Sequence, residues 1–165
     1  MIKEFTREEG LSKLKELVDS IHTCMFITAG AGQDHVRPMA TIKAEPNGDM
    51  WFFSELNSEK INDIKQSDAV QLLYSHPGKD AYLDIRGQAI VETNREKIKE
   101  LWSPLVKAWF PDGVDDPNIC LIKVEPGTAY YWDSGNNKVT YLLKTVAAAI
   151  SGRKLAEGEE GVLMH

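Results

Sequence analysis

Arg37, Met39, Thr41 and Lys43 alternate along one stretch of this chain, and Ser58-Glu59-Lys60 follows after a turn and the aromatic run Trp51-Phe52-Phe53. Alternate residues of an extended strand share a face, so the first stretch would present two cations on one side. Such a pair can neutralise a phosphate or polarise a ring carbonyl. A helix starting at Ser58 would add free backbone N–H groups and the positive end of its dipole, a setting in which phosphates bind readily. The Ser58 hydroxyl and the Lys60 ammonium would join it. Each piece has a plainer explanation: solvated charges on a half-exposed strand, an ordinary N-cap with a surface lysine, and aromatic core packing. Their order can nevertheless set a phosphate at a helix start and a flat ring system against a sheet.

Other chemistry finds little support. His22, His35, His76 and His165 show no metal-ligand spacing, and the chain has no C-x-x-C or H-x-x-x-H pattern. It has no phosphate-binding loop, dinucleotide fingerprint or nucleophile elbow. Asp112, Asp115 and Asp116 with Gly113 lack the alternation and terminal Glu of a calcium loop and read as a solvated loop. Cys24 and Cys120 lie in apolar runs and read as free buried thiols.

The elements that must position these residues follow from local patterns. Thr6 and Glu9 make a capping box ahead of Leu11, Leu14, Leu17 and Val18 at helical spacing. Strands are predicted over Ile21–Ala29 and His35–Glu45, and Pro46-Asn47-Gly48-Asp49 turns the chain back into Met50–Ser54. Ser58 is predicted to cap a short helix with Ile61 and Ile64. Further strands are predicted over Ala69–Ser75 and over Ala81–Thr93 with a bulge at Gly87. Asn94–Trp102 reads as a helix, Ile119–Trp132 as a strand broken at Pro126-Gly127, and Val139–Ile150 as a last helix. The tail from Ser151 to His165 is glycine- and glutamate-rich and is expected to be mobile. About six strands joined by hairpins imply an antiparallel sheet closed or partly split as a barrel.

With 165 residues, the chain fits one domain. Its net charge of −6 argues against broad nucleic-acid binding, which needs a basic surface. No apolar run approaches the length of a membrane span, and the N-terminus lacks the apolar core of a secretory signal. A cytoplasmic location is expected, in keeping with the cysteine usage.

The runs R-P-M-A-T-I-K (37–43), G-D-M-W-F-F-S (48–54) and N-S-E-K (57–60) resemble the pyridoxamine 5'-phosphate oxidase-like FMN-binding split barrels. W-F-P-D-G-V-D-D-P-N (109–118) and Y-Y-W-D (130–133) are similar to the bacterial general stress protein branch of that family. The resemblance covers about Thr6 to Ile150. It implies a mainly β, α+β fold: a six-stranded antiparallel split β-barrel with flanking helices over residues 1–150, leaving 151–165 as the tail. It also implies a homodimer with FMN at the subunit interface. Carried over residue by residue, Arg37 and Lys60 would hold the flavin phosphate, with Ser58 assisting. Pro38, Met39 and Ala40 would line the ring, and Phe53 and Ser54 would flank the ribityl and phosphate region. Tyr82 and Trp132 would approach the flavin from the other subunit.

The chain also departs from the oxidases. Glu59 stands where they have an arginine, Lys138 and Thr140 replace the arginine and histidine that grip pyridoxamine phosphate, and Leu142 replaces a further flavin-binding arginine. The resemblance therefore implies a flavin-dependent oxidoreductase of unknown substrate. Alternatives are a noncatalytic flavin-binding, storage or sensing protein and, less well supported, a pyridoxamine phosphate oxidase.

Overall fold

The long strand Ile119–Asp133 organises the molecule. In the computed structural model, which describes residues 2–134 and 159–164, nine strands form one sheet in the order β1-β9-β8-β7-β6-β2-β3, with β5 and β4 branching from β8. The elements are β1 (Ile2–Glu4), α1 (Arg7–Ile21), β2 (Thr23–Ala29), β3 (Asp34–Ala40), β4 (Lys43–Ala44), β5 (Met50–Glu55) and α2 (Glu59–Gln66). They continue with β6 (Ala69–His76), β7 (Ala81–Glu92), α3 (Arg95–Leu101), a 3-10 turn at Val106–Ala108, β8 (Ile119–Asp133) and β9 (Glu159–Met164).

One edge of β8 pairs with β7 along both strands. Its other edge is divided: residues 119–124 take β5 and residues 129–133 take β9. That division splits the barrel, and the mostly antiparallel sheet curls into a half-barrel flanked, among the described residues, by three helices. Among the described residues, only β1 and β9 run parallel.

The main core fills the curl with Leu14, Phe26, Phe52, Leu72, Tyr74, Leu83, Ile85 and Tyr131, all nearly solvent-free. A second cluster of Trp51, Ile98, Leu101, Val106, Phe110, Ile119 and Leu121 packs on the opposite side of β5. Strand alternation thus sends Phe52 to one core and Trp51 and Phe53 to the other.

The capping box at Thr6 and Glu9 forms, and Asn94 caps α3 by accepting from the N–H groups of Glu96 and Lys97. A bulge forms where one was expected at Gly87, but it lies on the facing strand β8, which runs on through Pro126-Gly127 without a break. Arg86 pairs with Thr128 and Gly87 with Pro126, so Gly127 is the extra residue. The strand expected over His35–Glu45 ends at Ala40, and Lys43 and Ala44 form a separate short strand on β5. Six strands were expected and nine are present, partly because Glu159–Met164, within the segment expected to be a mobile tail, forms β9 between β1 and β8. The helix expected at Val139–Ile150, and with it Lys138, Thr140 and Leu142, lies outside the described residues.

Candidate functional site

The free edge of β3 forms one wall of a cavity. β3 ends the sheet, so one side of its backbone has no strand partner among the described residues. Pro38 is tolerated there because an edge strand does not need its missing N–H. A cavity of about 350 Å³ runs along this edge, lined by Arg37, Pro38, Met39, Ala40, Phe53 and Lys60, all expected from the sequence. Ile42, Glu55, Val106, Trp109 and Phe110 complete the wall. A volume of this size falls in the range of small-molecule sites.

The cavity has a charged end and an apolar end. At the charged end, Arg37 donates from Nη1 to Thr28 Oγ1 at 2.7 Å, and its Nη2 lies 3.6 Å from Glu59 Oε1 and 3.7 Å from Asp63 Oδ2. Asp63 is buried, with Oδ2 accepting from Thr28 Oγ1 at 2.6 Å and meeting His35 Nδ1 at 2.8 Å. The Thr28 hydrogen bond, helped by His35 and Arg37, holds the Asp63 carboxyl below its ordinary 3.8 against the effect of burial. Ligand atoms of His35, Glu59 and Asp63 lie within 4.8 Å of one another. The Arg37 guanidinium among them and the Thr28 hydroxyl on Asp63 make this an ion-pair network rather than a metal cage.

Lys60, one turn earlier on α2 than Asp63, is half-buried. Burial lowers its pKa from the ordinary 10.5, the Arg37 charge pushes the same way, and the Glu55 carboxylate partly opposes both. Two cations that disfavour each other at a cavity wall leave room for an anion between them.

Ser58 occupies the N-cap position of α2 but makes no side-chain cap; its hydroxyl donates to the Glu55 carbonyl at 2.7 Å. The first turn therefore keeps uncapped amide donors, and Ser58 itself is not in the cavity wall. Asn118 fixes the approach to this turn, accepting from the backbone N–H of Leu56 at 2.8 Å and, through Oδ1, from that of Asn57 at 3.0 Å. The acidic loop between α3 and β8 thus positions the start of α2.

The apolar end is built by the second core. Phe53 stands edge-on to Trp102 with ring centroids 5.8 Å apart, and Phe110 lies 6.1 Å from it. Val106 and Phe110 are buried and anchor the 3-10 turn, which displays Trp109 at the cavity rim, 78% exposed.

Besides Ser58, three expected residues lie outside the cavity wall. Ser54 is buried in β5 with an unpartnered Oγ, because alternation turns it away when Phe53 faces the cavity. Tyr82 and Trp132 are cross-strand neighbours on the outer sheet face, both part-exposed, and neither lines the cavity. Burial pushes the thiol of Cys24 up to about 12 and that of Cys120 up to about 11, so neither is a ready nucleophile.

The sequence reading missed His35, Asp63, Glu55 and the rim residues. His35 shares the strand face of Arg37, and Asp63 follows Glu59 by four residues on α2, so both signals were present. Val106 carried no signal.

These residues fit a flavin phosphate. Arg37, Lys60 and the uncapped helix start suit the phosphate, and the β3 edge with Phe53 offers a flat wall for a ring.

The family model described as pyridoxamine 5'-phosphate oxidase like matches residues 9–156. The chain belongs to the pyridoxamine 5'-phosphate oxidase-like family. Protein bli-3 of Neurospora crassa is 27% identical over 161 residues, spanning 91% of this chain and 77% of that protein. A structure from Jannaschia sp. CCS1 assigned to general stress protein 26 superposes with a TM-score of 0.74 over 96% of both chains at 22% identity, which supports the split-barrel fold. The general stress FMN/FAD binding protein of Xanthomonas citri is 29% identical with a TM-score of 0.66, covering 78% of this chain and 90% of that one. Proteins named as general stress proteins are thus among those this chain is similar to.

Proposed function

We propose that this protein is a split-barrel flavoprotein that holds FMN along the edge of β3 and acts as a flavin-dependent oxidoreductase. The carrying observation is the cavity that joins Arg37 and Lys60 at an uncapped helix start to the flat wall of Pro38, Met39, Ala40 and Phe53. The Xanthomonas citri relative, described as FMN/FAD binding, supports the same ligand class. Arg37 and Lys60 would bind the phosphate, and the β3 edge would orient the ring and exclude water from one face. Bound FMN supplies hydride and electron transfer, chemistry that belongs to the cofactor while the protein contributes position and electrostatics.

The reading includes a homodimer. Met25 and Leu73 sit directly opposite each other on the outer sheet face, and Tyr82 and Trp132 form a second exposed pair on the same face. Exposed apolar side chains grouped on one sheet face, here interrupted by Ser75 and Asp84, suit an association surface, and Pro38 and Ala40 carry that face to the cavity. A partner's Tyr82 and Trp132 would then reach the flavin.

A noncatalytic flavin carrier is the second reading. It is favoured by the apolar end, where Ile42, Phe53, Val106, Trp109 and Phe110 offer no acid or base. Pyridoxamine phosphate oxidation has no support from the described residues.

The visible spectrum of protein purified without added cofactor tests the flavin, and NAD(P)H oxidation tests turnover. A two-banded spectrum with turnover is expected. Tight flavin without turnover favours the carrier, and a colourless protein that refuses added FMN rejects both.

A further inference from the structure

Thr28 is a polar residue in a row that otherwise enters the core. β2 turns Cys24, Phe26 and Thr28 inward by alternation, and all three are buried. The cross-strand neighbour of Thr28 is His35, and Arg37 lies two residues further along the same face of β3. A hydroxyl has one proton to give and lone pairs with which to receive, whereas an ionised carboxylate only accepts. Asp63 takes that proton, its Oδ2 accepting from Thr28 Oγ1 at 2.6 Å. The Thr28 oxygen is left as an acceptor for Arg37 Nη1, which donates to it at 2.7 Å. His35 Nδ1 braces the same Asp63 oxygen at 2.8 Å. Neither Thr28 nor Asp63 lines the cavity, whereas Arg37 does. Asp63 shares α2 with Lys60, so the chain Asp63–Thr28–Arg37 also ties together the elements that carry the two cations.

We propose that Thr28 and Asp63 are positioning residues: the carboxylate orients the Thr28 hydroxyl, and the hydroxyl aims the Arg37 guanidinium at a phosphate held between Arg37 and Lys60. This inference rests on the flavin reading above. Without the hydroxyl, Arg37 keeps its charge and its neighbours Glu59 and Asp63 but loses the bond that fixes its plane.

Fluorescence titration of the full chain, freed of flavin, with FMN and with riboflavin tests it in wild type, Thr28→Val, Thr28→Ser and Arg37→Ala. Thr28→Val alters no charge and is expected to raise the FMN Kd by about tenfold, the scale of a hydrogen bond to a charged group. Thr28→Ser keeps the hydroxyl and should stay close to wild type. Riboflavin lacks the phosphate and should bind all four proteins alike. In an Arg37→Ala background, Thr28→Val should add nothing, because the hydroxyl acts through that guanidinium. An unchanged FMN Kd in Thr28→Val, an equal loss of riboflavin, a loss shared by Thr28→Ser, or the same loss without Arg37 overturns the proposal. Should a thermal melt show Thr28→Val unfolded, Asp63→Asn decides. By charge alone, removing a carboxylate beside the site should tighten FMN; positioning predicts weaker FMN with riboflavin unchanged, and tighter or unchanged FMN overturns it. A wild type that takes up neither FMN nor riboflavin rejects the flavin reading instead.

Discussion

Lys60 and Asp63 lie one turn apart on α2 and do different work. Lys60→Ala should weaken FMN binding by about 1–3 kcal/mol, the range for a hydrogen bond to a charged group, and leave riboflavin binding unchanged. The lowered Lys60 pKa means the ammonium loses its proton below the ordinary 10.5. FMN affinity should therefore be level near neutrality and fall as pH rises toward 10.5, and Lys60→Arg should abolish that fall in a titration series. Asp63 works beneath the cavity. Its carboxyl is held below 3.8, so its contribution to stability is complete above that pH and is lost as pH falls through the folded value. Asp63→Asn should lower stability at pH 7 by about 1.5–3 kcal/mol and flatten the acid limb of a denaturation profile. The cation pair of this site was legible because strand alternation and the Ser-Glu-Lys run are local patterns. Ser58 misled because a hydroxyl chooses among nearby acceptors, and here the Glu55 carbonyl wins over the helix start. Trp109 was hidden because its display depends on Val106 and Phe110 reaching a core built from distant strands.

At the scale of elements, the helix starts at Thr6 and Asn94, the β6 strand and the bulge beside Gly87 could all be read, since each rests on neighbours in sequence. The strand β9 could not. Its glycine and glutamates argue for a loose tail, and only pairing with β8 and β1 makes Glu159–Met164 a strand. Gly10 of α1 records that docking: a Cβ there would collide with the backbone carbonyl of Leu163. Glycine to alanine inside a helix ordinarily stabilises by about 1 kcal/mol. Gly10→Ala should reverse that sign, lowering the thermal midpoint and raising amide exchange in β9. A chain ending before residue 159 should remove the penalty, so that the same substitution becomes neutral or stabilising there. An unchanged penalty in the shortened chain would detach Gly10 from β9.

On the proposed homodimer reading, two surfaces of the molecule would meet a second copy. One is the open edge of β3 along the cavity, and the other is the outer sheet face bearing Met25, Leu73, Tyr82 and Trp132. They share β3, because Pro38 pairs with Met25 across the same outward row that continues to Leu73. In the proposed complex, a partner packed on this row would bring its exposed aromatics toward a ring held along the β3 edge. Met25 is 42% and Leu73 38% exposed, so charging both should spare the fold while opposing association. Each buried side chain of this size contributes about 1.5–3 kcal/mol to a contact, and a symmetric interface counts every change twice. Met25→Glu with Leu73→Glu should therefore give a monomer by light scattering and weaken FMN binding more than Lys60→Ala does, since the far wall of the site leaves with the partner. A monomeric variant that still holds one FMN per chain at the wild-type affinity would confine the flavin to a single subunit and leave Tyr82 and Trp132 without a part in it.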